Sequence, residues 1–171
     1  MKTNKIHFET ISSTNNWAKE HLDQFDKSRL TIVTADEQTQ GYGQRKQRWV
    51  SNKGDGLWVS FCFYVEESPD GLVLTRVMAE SLVKFLKQHG VAGTIKWPND
   101  LLVDGKKIAG VLCEICDHWV VIGVGLNINM KQESLDKIDQ PATSIFCETG
   151  IEKTAAICLQ ELESLFTRNS F

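Results

Sequence analysis

The sequence predicts an α+β fold in one domain, and three observations favour this class. Runs of apolar and β-branched residues have the length of strands, and hairpin turns join several of them. Two longer segments carry apolar residues at helical spacing. The chain has 171 residues, and no linker divides it. Hairpin-linked strands with a few helices favour α+β over a doubly wound parallel sheet.

The first third of the chain predicts three strands, a short helix and a long loop. Residues 6–10 alternate in polarity and predict a strand. Residues 12–15, Ser-Ser-Thr-Asn, are good N-caps for a short helix that follows them. Residues 30–35 and 57–65 predict the next two strands. The polar segment between them, residues 36–56, is long enough to indicate a functional loop.

Two longer helices are predicted. The first begins at residues 68–70, Ser-Pro-Asp, and runs to about Gln88, where His89-Gly90 ends it. Its face at helical spacing consists of Leu74, Val77, Met78, Ser81, Leu82, Phe85 and Leu86. The second spans residues 153–168 and carries an apolar face that would pack against the rest of the fold.

The most informative segment is residues 96–110, Lys-Trp-Pro-Asn-Asp-Leu-Leu-Val-Asp-Gly-Lys-Lys-Ile-Ala-Gly. A strand at 94–97 leads into it, and a Trp-Pro step favours an extended backbone before the proline. Asn99 and the aspartate after it are expected to leave that strand. Asp104-Gly105 is a two-residue hairpin signal, which sends residues 106–112 back antiparallel.

This hairpin is expected to bring cationic and oxygen-bearing side chains together. One lysine of the pair Lys106 and Lys107 would lie near Asn99 and Asp100 on the same face. Such a group can hold a polyphosphate and a metal ion. The alternative is a hairpin with a solvated basic tip.

Residues 110–116 and 119–125 predict two more strands, joined by a turn at Asp117-His118. Cys113 and Cys116 are three apart on the first of these, so they are expected on opposite faces. Without a second pair or a histidine at ligand spacing, half-buried thiols are favoured over a zinc or redox site. The five cysteines are odd in number and scattered, unlike a secreted disulfide framework.

Charge and hydropathy exclude several classes of partner. The formal net charge of -3 gives no reason to expect binding to nucleic acid or to an anionic membrane. Nowhere do about 18 consecutive apolar residues occur. We therefore expect a soluble, cytoplasmic protein that binds neither nucleic acid nor membrane.

A second candidate for anion binding is the loop at residues 38–49, Gln-Thr-Gln-Gly-Tyr-Gly-Gln-Arg-Lys-Gln-Arg-Trp. Its glycines allow backbone N–H groups to approach an anion, and its three cations can neutralise one. The alternative is a mobile, solvated basic loop. A second basic element at Lys106 and Lys107 favours the phosphate interpretation.

Four blocks of the sequence together resemble the biotin-protein ligases. They are Ser13-Thr14-Asn15, the 38–49 loop, Lys96-Trp97-Pro98-Asn99-Asp100 with Lys107-Ile108-Ala109-Gly110, and Gly123-Val124-Gly125-Leu126-Asn127-Ile128-Asn129. The blocks occur in the order and approximate spacing of that family. The pairing of Lys-Trp-Pro-Asn-Asp with Lys-x-Ala-Gly is highly specific.

The resemblance implies a fold and a reaction. The fold is a mixed, largely antiparallel β-sheet backed by helices, as in the catalytic domain of class II aminoacyl-tRNA synthetases and in lipoate ligases. The reaction is that of an ATP-dependent, AMP-forming ligase. Biotin and MgATP would give biotinyl-5′-AMP and pyrophosphate. Biotin would then pass to one lysine of the biotin carrier domain of a biotin-dependent carboxylase, such as acetyl-CoA carboxylase.

The resemblance also implies roles for individual residues. The catalytic residues would be Lys107, Arg45 and Asp100, with Asp100 as the Mg²⁺ ligand and as a candidate acceptor of the carrier lysine's proton. The biotin-binding residues would be Ser13, Thr14, Asn15, Gln38, Gly41, Tyr42, Gly43, Gln44, Lys107, Gly110 and Gly123. The ATP-binding and adenylate-binding residues would be Arg45, Arg48, Trp49, Asn99 and Asn127. Gly110 and Gly123 would leave room for the ligand.

The 38–49 loop departs from the family pattern, which is commonly Gly-Arg-Gly-Arg-x-Gly-Arg-x-Trp. The residues in place of Arg, Arg, Gly and Arg are Tyr42, Gln44, Lys46 and Gln47. Arg45 is therefore expected to be the main phosphate contact and Arg48 the second. Because glutamine does not replace a bidentate arginine at phosphate, weak retention of the adenylate is expected.

The resemblance carries expectations about organisation. Residues 1–171 are expected to form a single catalytic domain, without the N-terminal helix-turn-helix of bifunctional members and without the small C-terminal β-barrel of many relatives. A homodimer through sheet edges is a further expectation. Two other functions stay open: a lipoate or octanoyl ligase of the same fold, and a non-catalytic protein that binds biotin or biotinyl-AMP.

Overall fold

The computed structural model describes residues 2–67 and 69–170, the last two by their backbone alone. Its strands are β1 (Lys2–Ile11), β2 (Arg29–Gln38), β3 (Gly56–Tyr64), β4 (Thr94–Lys96), β5 (Asp100–Val103), β6 (Lys106–Cys116) and β7 (Trp119–Asn127). In the described residues they form one seven-stranded sheet in the order β1-β2-β3-β7-β6-β5-β4. The pair β1 and β2 is parallel and the other pairs are antiparallel, so the predicted mixed, largely antiparallel sheet is confirmed.

Helices cover both faces of this sheet. They are α1 (Thr14–Glu20), α2 (Gly71–Gln88), α3 (Gln132–Leu135), α4 (Ile145–Thr149) and α5 (Ala155–Ser170). Helices α2 and α5 pack together on one face, where Phe61, Phe85 and Phe166 lie in the main core. Helix α1 packs on the other face, called the site face below, over a smaller core that includes Ala18 and Val121. No helix in the described part is long and apolar enough to cross a membrane.

The helix starts follow from side-chain caps. Asp70 caps α2, because its carboxylate accepts from the N–H groups of Leu72 at 2.8 Å and Val73 at 3.3 Å. The predicted start at residues 68–70 is therefore close, although residue 68 lies outside the described residues. Ser13 caps α1, and its hydroxyl accepts from Asn16 N–H at 3.4 Å.

The predicted hairpin between β5 and β6 is confirmed. Asp104 and Gly105 have φ values of 48° and 78°, the left-handed pair that a type I′ turn requires. Asn99 and Asp100 lie beyond β4, as expected: Asn99 is in the turn at 97–99, and Asp100 begins β5, where it pairs with Lys96 and Gly110. Asp100 lines the site while its backbone joins the ladder of β5 and β6.

The cysteine predictions are also confirmed. Cys113 packs against the main core and Cys116 against the smaller core, so they lie on opposite faces of β6. Both thiols are partly buried and free. Burial raises the pKa of Cys113 to about 11, which makes it a poor nucleophile near neutral pH.

Candidate functional site

The candidate site is a cavity of about 240 Å³ on the site face of the sheet. Its floor is a row of small residues on neighbouring central strands. Gly110 of β6 pairs with Gly125 of β7, and Gly123 of β7 pairs with Ser60 of β3. Because side chains alternate along a strand, Gly123 and Gly125 open the same face, which leaves a depression in the sheet.

Two side chains fill the ends of this depression. A Cβ on Gly123 would lie 2.5 Å from Asn15 Oδ1, and one on Gly125 would lie 2.4 Å from the Trp49 indole. A Cβ on Gly110 would also approach that indole, at 3.0 Å. The glycines therefore admit the first turn of α1 and the indole against the sheet. The space above Gly110 and Gly123 is shared between these side chains and the cavity.

One wall of the cavity is a chain of neutral hydrogen bonds. Gln38 Oε1 accepts from Thr14 N–H at 2.9 Å and from the Thr14 hydroxyl at 3.1 Å. Gln38 Nε2 donates to Ser51 Oγ at 2.9 Å, which fixes the orientation of the amide. Ser60 Oγ lies 2.8 Å from Thr14 Oγ1 and 2.5 Å from Asn15 Oδ1. Hydrogen bonds within the protein therefore fix the side chains of this wall.

Behind that wall lies an ion pair that sequence reasoning missed. Lys19 Nζ is 2.8 Å from Glu114 Oε1, and Asn15 Nδ2 donates to Glu114 Oε2 at 2.9 Å. The Tyr42 hydroxyl lies 2.9 Å from the same carboxylate. Burial acts to raise the pKa of Glu114, but the hydrogen bonds from Lys19, Asn15 and Tyr42 outweigh it and hold the pKa below its ordinary value. A carboxylate in the middle of an apolar strand was the available signal.

The opposite side of the cavity is cationic, and Lys107 is its fixed centre. Lys107 Nζ lies 2.8 Å from Asp100 Oδ1, so the predicted meeting of a hairpin lysine with this carboxylate is confirmed. The ammonium also lies 5.1 Å from the centre of the Trp49 ring. Its backbone is held on both sides, since Lys107 N–H donates to Pro141 O at 2.8 Å and Lys107 O accepts from Thr143 N–H at 2.9 Å.

The neighbouring lysine points elsewhere. Lys106 Nζ lies 3.6 Å from Glu148 Oε1, and its side chain is far more exposed than that of Lys107. Consecutive residues of a strand face opposite sides, which separates the two ammonium groups.

Residues 41–49 form a small hairpin over the cavity, called the loop hairpin below. Gly43 N–H donates to Gln47 O at 2.8 Å, and Trp49 N–H donates to Gly41 O at 2.9 Å. Its tip holds Arg45 and Lys46 in left-handed conformations, with φ values of 56° and 61°. The side chains at the tip are exposed, and within the described structure the guanidinium groups of Arg45 and Arg48 make no ion pair. Both are available to an anion.

Most of the predicted site residues line this cavity. Those that do are Ser13, Thr14, Asn15, Gln38, Tyr42, Gly43, Gln44, Arg45, Arg48, Trp49, Asn99, Asp100, Lys107, Gly110 and Gly123. Gly41 lies behind the wall, where a Cβ would meet Trp49 O and Ser51 Oγ at 2.7 Å. Asn127 lines a smaller adjoining cavity that shares Arg48, Trp49 and Lys107 with the first. Lining residues that were not predicted are Gln47, Val59, Val111, Leu112, Val124, Gly125 and Gln140.

Asp100 can bind a magnesium ion only together with ligands that the protein does not supply. Its Oδ1 has no hydrogen-bond partner of good geometry, although Lys107 Nζ is close enough to form an ion pair. The described residues contain no group of three or more His, Cys, Asp or Glu side chains that could hold a metal. Mg²⁺ commonly takes one or two carboxylates and completes its shell with phosphate oxygens and waters. One carboxylate fits that mode.

Comparison with known proteins gives the family. The model of the biotin/lipoate A/B protein ligase family matches residues 7–127. The chain belongs to this family. The bifunctional ligase/repressor BirA of Bacillus spizizenii is 32% identical to it over 95% of this chain and 52% of the relative. The biotin–acetyl-CoA-carboxylase ligase of Mycobacterium tuberculosis is 28% identical over 78% of this chain and 53% of the relative. The chain thus spans about half the length of these curated relatives.

Solved structures of family members share the fold. The biotin protein ligase of Aquifex aeolicus, in complex with biotin and ATP, superposes with a TM-score of 0.85 at 30% identity, covering 97% of this chain and 69% of that one. The bipartite lipoate protein ligase of Thermoplasma acidophilum has a TM-score of 0.69 at 11% identity, covering 99% of this chain and 84% of that one, which shows a common fold alone. The fold that the resemblance implied is confirmed.

Proposed function

We propose that this chain is a biotin-protein ligase, which activates biotin with MgATP to biotinyl-5′-AMP and transfers biotin to a lysine of a carrier domain. One observation carries the proposal: the cavity has a neutral hydrogen-bonding wall at Thr14, Asn15 and Gln38 and a cationic side at Lys107 and Arg45. Biotin has the matching polarity, with a neutral ureido group at one end and a carboxylate at the other. The relatives bound to biotin and ATP support this assignment.

The first step needs charge stabilisation where the carboxylate meets the α-phosphate. Lys107 is proposed to supply it, because its ammonium is held between Asp100 and the Trp49 ring and therefore needs little reorganisation. The guanidinium groups of Arg45 and Arg48 are proposed to contact phosphate. Trp49, Asn99 and Asn127 complete the proposed adenylate-binding set.

A metal ion and a base are also part of the proposal. Mg²⁺, when bound, would neutralise phosphate charge, and Asp100 would hold it together with phosphate oxygens and waters. The carrier lysine has an unperturbed pKa of about 10.4 and must lose a proton before it attacks. Asp100 is the proposed acceptor of that proton.

We extend the proposal to the protein's partners. The carrier is proposed to be the biotin carrier domain of a biotin-dependent carboxylase, and the described residues are proposed to form one catalytic domain. ATP as substrate and free cysteine thiols support a cytoplasmic location. β1 lies at an end of the sheet, so a homodimer through this edge stays a prediction, which sedimentation equilibrium tests.

Biotin-dependent release of pyrophosphate from MgATP tests the first step. We expect release with biotin and none without it. Release with lipoate or octanoate in place of biotin would favour the lipoate-ligase alternative. Biotin binding by calorimetry without pyrophosphate release would contradict the ligase proposal and favour a non-catalytic binding protein.

A further inference from the structure

The loop hairpin, residues 41–49, is attached to the rest of the molecule at two side chains. On one strand the Trp49 indole packs on Gly110 and Gly125. On the other strand Tyr42 inserts its hydroxyl between α1 and β6. Tyr42 and Arg48 pair across the hairpin, so these attachments lie near its base and leave the cationic tip in solvent.

The Tyr42 hydroxyl meets three polar groups from two elements. It lies 2.7 Å from Asn16 Oδ1 and 2.9 Å from Glu114 Oε2, and it accepts from Lys19 Nζ at 3.2 Å. Lys19 Nζ lies 2.8 Å from Glu114 Oε1, so the Tyr42 hydroxyl contacts an ion pair with no net charge. Hydrogen bonds to charged groups are stronger than neutral ones, and this hydroxyl has one on each side.

The same carboxylate continues into the cavity wall. Glu114 Oε2 accepts from Asn15 Nδ2 at 2.9 Å, and Asn15 Oδ1 is bonded to Ser60. Movement of Tyr42 would therefore disturb the orientation of Asn15, whose amide lies against Gly123 on the cavity floor. The hairpin and the neutral wall are joined through one buried network.

We propose that Tyr42 is a positioning residue that holds the loop hairpin against the site face through the Lys19–Glu114 ion pair. This proposal rests on the proposed ligase function only for its kinetic consequence. Arg45 and Arg48 have no anchor of their own in the described structure, so their place relative to Lys107 depends on the base of the hairpin. The hydroxyl acts through its neighbours and not on the reacting atoms.

Limited trypsin digestion without ligand tests this attachment directly. Arg45, Lys46 and Arg48 are cleavage sites on the hairpin, and Lys137 is an exposed reference site in a different segment. In Tyr42→Phe, cleavage at the hairpin relative to the reference should rise about tenfold, the order expected for loss of a hydrogen bond to a charged group. The matched control is Tyr64→Phe at the chain's other tyrosine, which should leave the ratio unchanged.

Kinetics separate positioning from a direct role. In Tyr42→Phe the KM for ATP should rise about five- to tenfold, because Arg45 and Arg48 are the proposed phosphate contacts, and the KM for ATP of Tyr64→Phe should stay within about twofold of the parent value. Glu114→Gln should raise hairpin cleavage too, and combining it with Tyr42→Phe should add little. Unchanged cleavage in Tyr42→Phe, or an effect equal to that of Tyr64→Phe, would overturn the proposal. The digestion needs no biotin, so it stands even if pyrophosphate release fails and the ligase function is rejected.

Discussion

Replacement of Lys107 by methionine keeps most of the side-chain volume and removes one ammonium group. The Lys107 ammonium lies 2.8 Å from the Asp100 carboxylate, and the exposed fractions of the Lys107 and Asp100 side chains are 12% and 21%. Lys106→Met is a matched control, because this neighbour points to Glu148 and its side chain is 46% exposed. Both variants change the net charge equally, which separates local from long-range electrostatics.

The expected effect on catalysis follows from the position of the ammonium. Loss of one preorganised group that stabilises developing charge typically lowers kcat by about 10²–10³, or about 2.7–4 kcal/mol. The effect on stability is smaller. Removal of one partner of a buried pair costs about 3–5 kcal/mol, and partial hydration of Asp100 should reduce this to about 1–2 kcal/mol.

Biotin-dependent pyrophosphate release and urea unfolding measure the two effects. Lys107→Met should release pyrophosphate about 10²–10³ times more slowly than the parent protein, and Lys106→Met should stay within about twofold. The double variant Lys107→Met, Asp100→Asn should recover stability, because it leaves no unpaired carboxylate, and should stay inactive. Near-normal release from Lys107→Met, or equal losses in both single variants, would refute the assigned role.

Four further predictions concern the floor of the site, the ion pair behind its wall and the loop hairpin. Gly125→Ala places a Cβ 2.4 Å from the Trp49 indole and should lower the free energy of unfolding by about 1–3 kcal/mol in urea, whereas Gly43→Ala, whose nearest contact is 3.9 Å, should change it little. The pKa of Glu114 lies below its ordinary 4.5, so the ionised carboxylate should contribute fully to the free energy of unfolding above pH 4.5 and lose this contribution as the pH falls further. The free energies of unfolding of the parent and of Glu114→Gln should therefore converge in acid. A difference between them that does not change with pH would contradict this. Lys46→Gly relieves a left-handed φ of 61° and should stabilise by about 0.5–1 kcal/mol, and a lower melting temperature would contradict it. Glutamines at arginine positions of the loop should let the adenylate escape, so free amines should be biotinylated faster than by an arginine-containing ligase, and equal rates would refute this.

Local turn and cap chemistry explains what the sequence predicted well. The Asp104-Gly105 turn depends on two adjacent residues, and Asp70 caps a helix that begins at the next residue. The turn fixes the pairing of Leu102 with Lys107, so the approach of this lysine to Asp100, two residues along β5, could be inferred, whereas the register shift between Leu101 and Leu102 could not. The resemblance to a family then located most residues of the cavity.

Contacts between distant residues were not predictable from the pattern. Lys19 and Glu114 are 95 residues apart, and nothing local to either indicates the other. The packing of Trp49 on Gly125 depends on the position of the loop hairpin relative to the sheet, which a single sequence does not reveal. Helices α3 and α4 were missed because they have four and five residues, too few to show a helical period.

Mass spectrometry of a carrier domain tests the central proposal most directly. The domain would be incubated with biotin, MgATP and this protein, with the Lys107→Met variant as a parallel control. We predict one added biotinyl group on a single lysine of the carrier in the presence of the parent protein and, at the same early time, about 10²–10³ times less with the variant. An unmodified carrier under conditions in which an established biotin-protein ligase modifies it would contradict the assignment.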